Sequence, residues 1–318
     1  MKEIDVLYAN KDAGMLHPIP PCYGPIIETS ADGTLRVMQC SACGFAHVQP
    51  LPDEKMTADY YQAGAFYSSN SPRDWFDLEI VELPYHRLVY ADWLDTLAAY
   101  TDKPPDEPLS ILDVGCGSGW FLDSARLKGW ETTGIEPAPQ ARALAEEKGL
   151  HILSTLEEAP KHHYDAAAMI LVLEHLTRPL RTLRNVRERL CDKGVLLIQV
   201  PNDFSPLQDV ARKIHDLPAW FICHPHVGYF QPATLRALVE DAGFEVVETR
   251  TTYPMEQFLL SGRQYVGNEE LGRACFRERM AYETALYQHG QIELLRQTQR
   301  AYFEQGIGRE IVMVGVKR

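Results

Sequence analysis

Four stretches of this sequence hold side chains that could do chemistry. The first, ILDVGCGSGW, spans residues 111 to 120 and sets Asp113 ahead of glycines at 115, 117 and 119. Glycines after an apolar run let the backbone approach a nucleotide closely. A dinucleotide fingerprint, G-x-G-x-x-G, would place its third glycine at position 120, which is Trp120. What remains suits a cofactor without phosphates, and Glu136, in GIEP, could accept both hydroxyls of a ribose. The second stretch supplies proton chemistry: His175 beside Glu174, then His224 and His226 in CHPHVGYF, with Tyr229 as a further polar wall. Imidazole titrates near neutrality and is the default general base for an acceptor hydroxyl. Cys223, His224 and His226 also suggest a metal site, but Pro225 breaks the geometry and no fourth ligand is near in sequence. The third stretch, CSACGFAH, is half of a zinc ribbon: Cys40 and Cys43 on one turn, followed by Gly44. A full site needs a second pair, and His17 and Cys22 lie upstream, before an expected hairpin around ADGT. A ribbon that has lost its metal is the alternative. The fourth, DYYQAGAFYSSNSPRDWFD, clusters Tyr60, Tyr61, Phe66 and Tyr67. These aromatics either pack the segment down or close over cofactor and acceptor, with Tyr67 a candidate substrate contact.

The elements that must position these groups alternate after residue 109. LSILDV, WETTGIE, LHILST, YDAAAMILV and GVLLIQV read as strands, and helices are expected over Gly119 to Lys128, Ala138 to Lys148 and Pro179 to Leu190. Continuous apolar runs mark strands buried on both faces of a parallel sheet, so the fold class is α/β, doubly wound. A helix over Gln231 to Ala242, a strand FEVVETR and a last strand REIVMVGVKR complete the pattern, with a helical insertion at about 254–307. The expected organisation is a zinc-ribbon-like segment at 1–56, a helical lid and linker at 57–108, and a catalytic domain at 109–318. The Pro-rich AYTDKPPDEPLS forms the linker.

Composition narrows the partners. The formal net charge of −13 would repel a phosphate backbone, so nucleic acid is disfavoured as an acceptor. No apolar run reaches the roughly 18 residues of a membrane span. MKEIDVLYANKDAG lacks the basic start and apolar core of a secretory leader, which points to the cytoplasm. An odd count of scattered cysteines does not form a disulfide framework.

The ordered set ILDVGCGSG, GIEPAPQARALAEEKG, YDAAAMILVLEHLTRP, CDKGVLLIQVPN and HVGYFQPATLRALVEDAGFEVVE resembles the class I S-adenosylmethionine-dependent methyltransferases. The resemblance implies a Rossmann-like sheet of seven strands, the last inserted antiparallel between the fifth and sixth. It implies S-adenosylmethionine as cofactor, with Gly115 and Gly117 lining its methionine and ribose, Gly119 opening the first helix, Asp113 near the methionine ammonium and Glu136 on the ribose hydroxyls. Adenine would fall by Thr155 and Leu156, where relatives often carry an acid, and Leu171 and Val172 would pass backbone beside the cofactor. Relatives begin with two C-x-x-C knuckles. Here the first keeps only Cys22, and His17 stands in for its partner, giving His17, Cys22, Cys40 and Cys43 as ligands of one structural zinc.

The function expected is methyl transfer to a small molecule, at oxygen, in the biosynthesis of a sugar, natural product or surface glycan, with His175, His226 and His224 as candidate catalytic residues. The rivals are an RNA methyltransferase gripping RNA through the ribbon and a non-catalytic cofactor-binding protein. The insertion either packs on the sheet edge, shapes acceptor specificity or forms a homodimer contact.

Overall fold

Apolar residues alternate between two faces along the central strands, and both faces are covered by helices. A computed structural model of the chain describes residues 22–69, 72–104 and 106–318; His17 lies outside them. Strands β1 (Ile26–Thr29), β2 (Arg36–Gln39) and β3 (Ala46–Gln49) come first, then helices α1 (Glu54–Gln62), α2 (Ala65–Ser69) and α3 (Pro72–Tyr100). The alternating part follows as β4 (Ser110–Val114), α4 (Trp120–Leu127), β5 (Glu131–Ile135), α5 (Pro139–Glu147), β6 (His151–Leu153), β7 (Tyr164–Ile170), α6 (Pro179–Arg189) and β8 (Leu190–Pro201). It ends with α7 (Pro206–His215), β9 (Gly228–Tyr229), α8 (Pro232–Asp241), β10 (Phe244–Thr251), α9 (Glu256–Leu260), α10 (Glu269–Gln288), α11 (Ile292–Glu304) and β11 (Glu310–Lys317).

The seven-stranded sheet has the order β10-β11-β8-β7-β4-β5-β6. Only β11 runs antiparallel to its neighbours β8 and β10; the other pairs are parallel. Leu112, Ala167, Met169, Leu196, Ile198 and Met313 meet Leu183 and Val186 of α6 and Leu235 and Val239 of α8 on one face. One residue along, Ile111, Ala166, Ala168, Leu197 and Val312 meet Leu94 and Leu97 of α3 and Phe121 and Leu122 of α4 on the other. The period of two is thus buried on both sides, the condition for a parallel sheet between helical layers.

The insertion forms α9, α10 and α11, and it braces the sheet edge against α3 with buried ion pairs. Arg250 of β10, only 1% exposed, meets Asp92 of α3 at 2.7 Å, and Arg296 of α11 closes on the same carboxylate. Tyr85 of α3 donates to Glu283 of α10. Removing one partner of such a pair leaves a buried charge uncompensated.

Two elements go beyond the sequence reading. Helix α7 starts from a capping box in which Ser205 Oγ accepts the Gln208 N–H and Gln208 reaches back to the Ser205 N–H. Strand β9 is the other: it pairs antiparallel with β3 and completes a second sheet of order β1-β2-β3-β9. No helix among the described residues is long and apolar enough to cross a membrane.

Candidate active site

The carboxyl ends of β4, β5, β7 and β8 converge on one edge, where open α/β sheets bind their ligands. The N–H groups of Gly115 and Cys116 both donate to the Ile135 carbonyl, at 2.8 and 3.0 Å, tying the glycine loop to the end of β5. Gly115 has φ +74°, and a Cβ there would stand 2.5 Å from Cγ2 of Val172. The loop therefore touches the segment after β7 with no room for a side chain. Gly117 has φ +55°, and its missing Cβ would lie 3.5 Å from the Tyr67 hydroxyl. Gly119 is the N-cap of α4, and the Lys148 ammonium sits 4.2 Å above the Trp120 ring while donating to the Ser118 carbonyl at 2.9 Å.

Two buried carboxylates flank this loop. Glu136 accepts the Gly117 N–H through Oε2 at 2.9 Å and the Ala138 N–H through Oε1 at 2.8 Å. Burial pushes its pKa up against those two hydrogen bonds and Arg142. Each oxygen retains a lone pair for a ribose hydroxyl. Asp113 is 2% exposed with Oδ1 unpartnered; burial, with the Glu136 charge adding to it, pushes its pKa up to about 8. A cationic ligand group at this position would give that oxygen the partner it lacks.

Beyond Val172 the chain forms a short 3-10 turn, Leu173–His175. It presents Glu174, 1% exposed with both carboxylate oxygens unpartnered, and His175, whose Nδ1 lies 3.5 Å from the Pro225 carbonyl and whose Nε2 lies 3.9 Å from Glu174 Oε1. The His226 ring packs edge-on against His175 with centroids 5.0 Å apart. Ligating atoms of Glu174, His175 and His226 lie within 4.8 Å of one another. Burial lowers the pKa of His175 to about 4 and that of His226 to about 3, and raises that of Glu174 to about 8. Both imidazoles are neutral at physiological pH and can take up a proton.

The structure brings His175 and His226 together, and His224 shares the loop with His226. Tyr229 is 1% exposed and packs in a core with Leu35, Val37, Ala46 and Phe221, on the side of the small sheet. The aromatic segment reaches both parts of the site: Tyr61 and Phe66 meet the His175 ring at 6.0 Å, while Tyr67 stacks on Phe76 at 5.2 Å and packs on Ala138, the N-cap of α5, and on Ala141 within it. Thr155 caps a 3-10 turn through Glu158, and Leu156 is a core residue that accepts from Arg189. Leu171, at φ +55° and 43% exposed, donates its N–H to the Gln199 carbonyl at 2.9 Å.

Comparison with known proteins decides the family. A family model described as a methyltransferase domain matches residues 85–249, more than half of the chain. The chain belongs to this methyltransferase family. The ubiquinone biosynthesis O-methyltransferase of Saccharophagus degradans is 33% identical over 191 residues, covering 55% of this chain and 78% of that protein. The enzyme of that name from Rickettsia canadensis is 24% identical over 153 residues, covering 45% of this methyltransferase and 65%, less than two thirds, of its own length. Among solved structures, the magnesium protoporphyrin IX methyltransferase of Synechocystis, crystallised with bound SAH, superposes with a TM-score of 0.51 at 13% identity, covering 84% of this chain and 100% of that one. That likeness supports the fold: a seven-stranded α/β methyltransferase sheet with its last strand antiparallel.

The methyltransferase carries a second cluster in its small sheet. Ligating atoms of Cys22, Cys40, Cys43 and His47 lie within 4.8 Å of one another. Cys43 Sγ is 3.2 Å from Cys40 Sγ and 3.4 Å from Cys22 Sγ, near the ~3.8 Å edge of a tetrahedron with metal–sulfur bonds of about 2.3 Å. Burial raises the Cys40 thiol, but the hydrogen bonds it accepts, the Cys43 N–H first among them, outweigh it and bring the pKa down to about 6. Three cysteines and one histidine in this arrangement could hold zinc. The sequence reading draws the fourth ligand from upstream, at His17, whereas C-x-x-C-x-x-x-H ends on His47, and the structure sets His47 in the cluster. In the sequence Glu174 stands only as a neighbour of His175; its burial has no local signature.

Proposed function

We propose that the protein transfers the methyl group of S-adenosylmethionine to a hydroxyl of a small molecule. The observation that carries this reading is the contact between Gly115 and Val172: it sets the glycine loop directly against the turn that bears Glu174 and His175, so donor and proton acceptor share one cleft. In this reading Asp113 pairs with the methionine ammonium, Glu136 accepts the ribose hydroxyls, and the Gly115–Gly119 backbone lies along the cofactor. Thr155, its side chain committed to capping, would serve adenine through its backbone, with Leu156 holding that turn in the core. When bound, the cofactor supplies an electrophilic methyl on a sulfonium leaving group.

The chain's own residues then orient and deprotonate. Neutral His226 or His175 takes the hydroxyl proton, and Glu174, held mostly as the neutral acid by its burial, lies beside His175 at 3.9 Å. His224 lines the same loop. Tyr61, Phe66 and Tyr67 cover the cleft, excluding water from the sulfonium, and positioning alone can contribute roughly 7 to 11 kcal/mol. Tyr67, beside Gly117, would touch cofactor as well as acceptor, whereas Tyr229 would support the acceptor wall from behind. The relatives named O-methyltransferases favour oxygen as the acceptor atom. A sugar, natural product or glycan precursor and a cytoplasmic setting complete the proposal, with 109–318 as the catalytic unit and 57–108 its lid.

The test incubates the protein with methyl-labelled S-adenosylmethionine and a small-metabolite extract, then identifies the labelled product. An alkali-stable methyl ether of a small molecule is expected. Label in RNA, or cofactor binding without transfer to any acceptor pool, would overturn the reading.

A further inference from the structure

The small sheet and the acceptor loop are one structure. His47, the histidine of the four-residue cluster, lies in β3 directly opposite Gly228 of β9, and Ala46 lies opposite Tyr229. The Val48 N–H donates to the Val227 carbonyl at 2.9 Å, and the Val227 N–H donates to the main-chain carbonyl of Glu174 at 2.6 Å. Phe45, between Cys43 and His47 in sequence, packs on Phe230 with ring centroids 5.3 Å apart. His226 is thus held between a strand of the ribbon and the turn carrying Glu174 and His175.

The His47 ring is poised for a metal. Its Nδ1 is 2.8 Å from the Val48 carbonyl, so Nδ1 carries the proton and Nε2 the lone pair. That Nε2 is buried and has no hydrogen-bond partner, while it lies within 4.8 Å of the sulfurs of Cys22, Cys40 and Cys43. A metal-bound histidine usually donates from its other ring nitrogen to a carbonyl in this way, which fixes the ring's tautomer and orientation.

We propose that His47 completes a Cys3His metal site, and that the metal bound there positions the acceptor loop, residues 223–230, and with it His226. The ribbon metal would then govern methyl transfer from outside the catalytic cleft. The energetic basis is the weakness of the link it supports. Strand β9 is two residues long, and short isolated pairings are marginal in water. It stays paired because β3 is fixed, and β3 is fixed at His47. The glycine loop is tied instead to β5 and to Glu136, so cofactor binding should be insensitive to the ribbon. Loss of the metal separates the two halves of the site.

This inference rests on the proposed function for the role of His226, but its test does not. Purified protein is assayed for zinc, then stripped with a chelator under reducing conditions and reloaded with zinc alone. Hydrogen exchange is followed by mass spectrometry, and S-adenosylhomocysteine affinity by calorimetry. Stripping should speed exchange of 223–230 together with 45–49 by about tenfold or more, consistent with lost local protection, while exchange of 110–120 and S-adenosylhomocysteine affinity stay unchanged. His47→Ala should reproduce the stripped pattern, and His47→Cys, which keeps four ligands, should retain zinc and protection. Failure to take up zinc, or faster exchange confined to 22–49 with 223–230 still protected, would overturn the inference. Absence of S-adenosylhomocysteine binding would instead sink the functional proposal and leave the coupling standing.

Discussion

Replacing Asp113 by Asn should make the free protein more stable at alkaline pH while weakening its hold on the cofactor. Asp113 is 2% exposed, lacks a partner at Oδ1, and has its pKa raised by burial, with help from the Glu136 charge, to about 8. In the unfolded chain the same carboxyl titrates near ~3.9. Because the folded value is the higher one, the native state binds this proton more tightly. The associated stability is complete below about pH 4 and is lost as pH rises toward 8, at about 1.4 kcal/mol per unit, or about 5 kcal/mol in all. Asparagine cannot ionise and escapes this loss, at a cost of about 1 to 3 kcal/mol for burying an amide with an unmet hydrogen bond. The variant should therefore be the less stable form at about pH 4.5, draw level near about pH 5 to 6, and exceed the native protein by about 2 to 4 kcal/mol at about pH 8. Urea unfolding of the free proteins across that range measures the crossing. The same substitution removes the ammonium's charged partner, worth about 1.5 to 3 kcal/mol, so S-adenosylmethionine affinity should fall by roughly 10- to 150-fold. Native protein should release protons on binding below pH 8, as the ammonium draws Asp113 into its charged form. Parallel stability curves, or unchanged affinity, would refute the reasoning.

Gly115→Ala places a methyl 2.5 Å from Val172 Cγ2 at φ +74°. Calorimetry should show S-adenosylhomocysteine binding weakened by more than about tenfold, partly restored by adding Val172→Ala, since strain at such positions costs about 1 to 3 kcal/mol. Glu136→Ala removes the acceptor of the Gly117 and Ala138 N–H groups, and titration should show a loss of about 1.5 to 3 kcal/mol in cofactor binding. His226→Ala should lower the rate of label transfer by about 10²- to 10⁴-fold with S-adenosylhomocysteine affinity unaltered; normal turnover would remove His226 from the mechanism.

The large sheet was legible because its strands, buried on both faces, must be apolar throughout, and because glycine at 115 and 117 answers a backbone demand that sequence displays directly. Glu136 stands out in the sequence as the acid that follows β5, and the structure sets it under the loop, where it accepts the Gly117 and Ala138 N–H groups. Helix α7 lies outside the expected elements, although Ser205, Pro206 and Gln208 spell a capped start. Tyr229 shows a different limit. It lies near His226 in sequence, yet in β9 successive residues face opposite ways, and this one turns into the core beneath the ribbon.

The partnership of β3 with β9 was illegible for a deeper reason. A two-residue strand has too little periodicity to announce itself, and its register with a strand some 180 residues away is set by tertiary packing. Phe45 on Phe230, Ala46 opposite Tyr229 and His47 opposite Gly228 are each ordinary choices alone. Together they join a thiol cluster to an imidazole pair. The sequence presents a ribbon and a catalytic domain as consecutive units, whereas the physical unit that holds His226 is built from both. A substitution in the ribbon should therefore be judged by its effect on acceptor turnover as well as on stability.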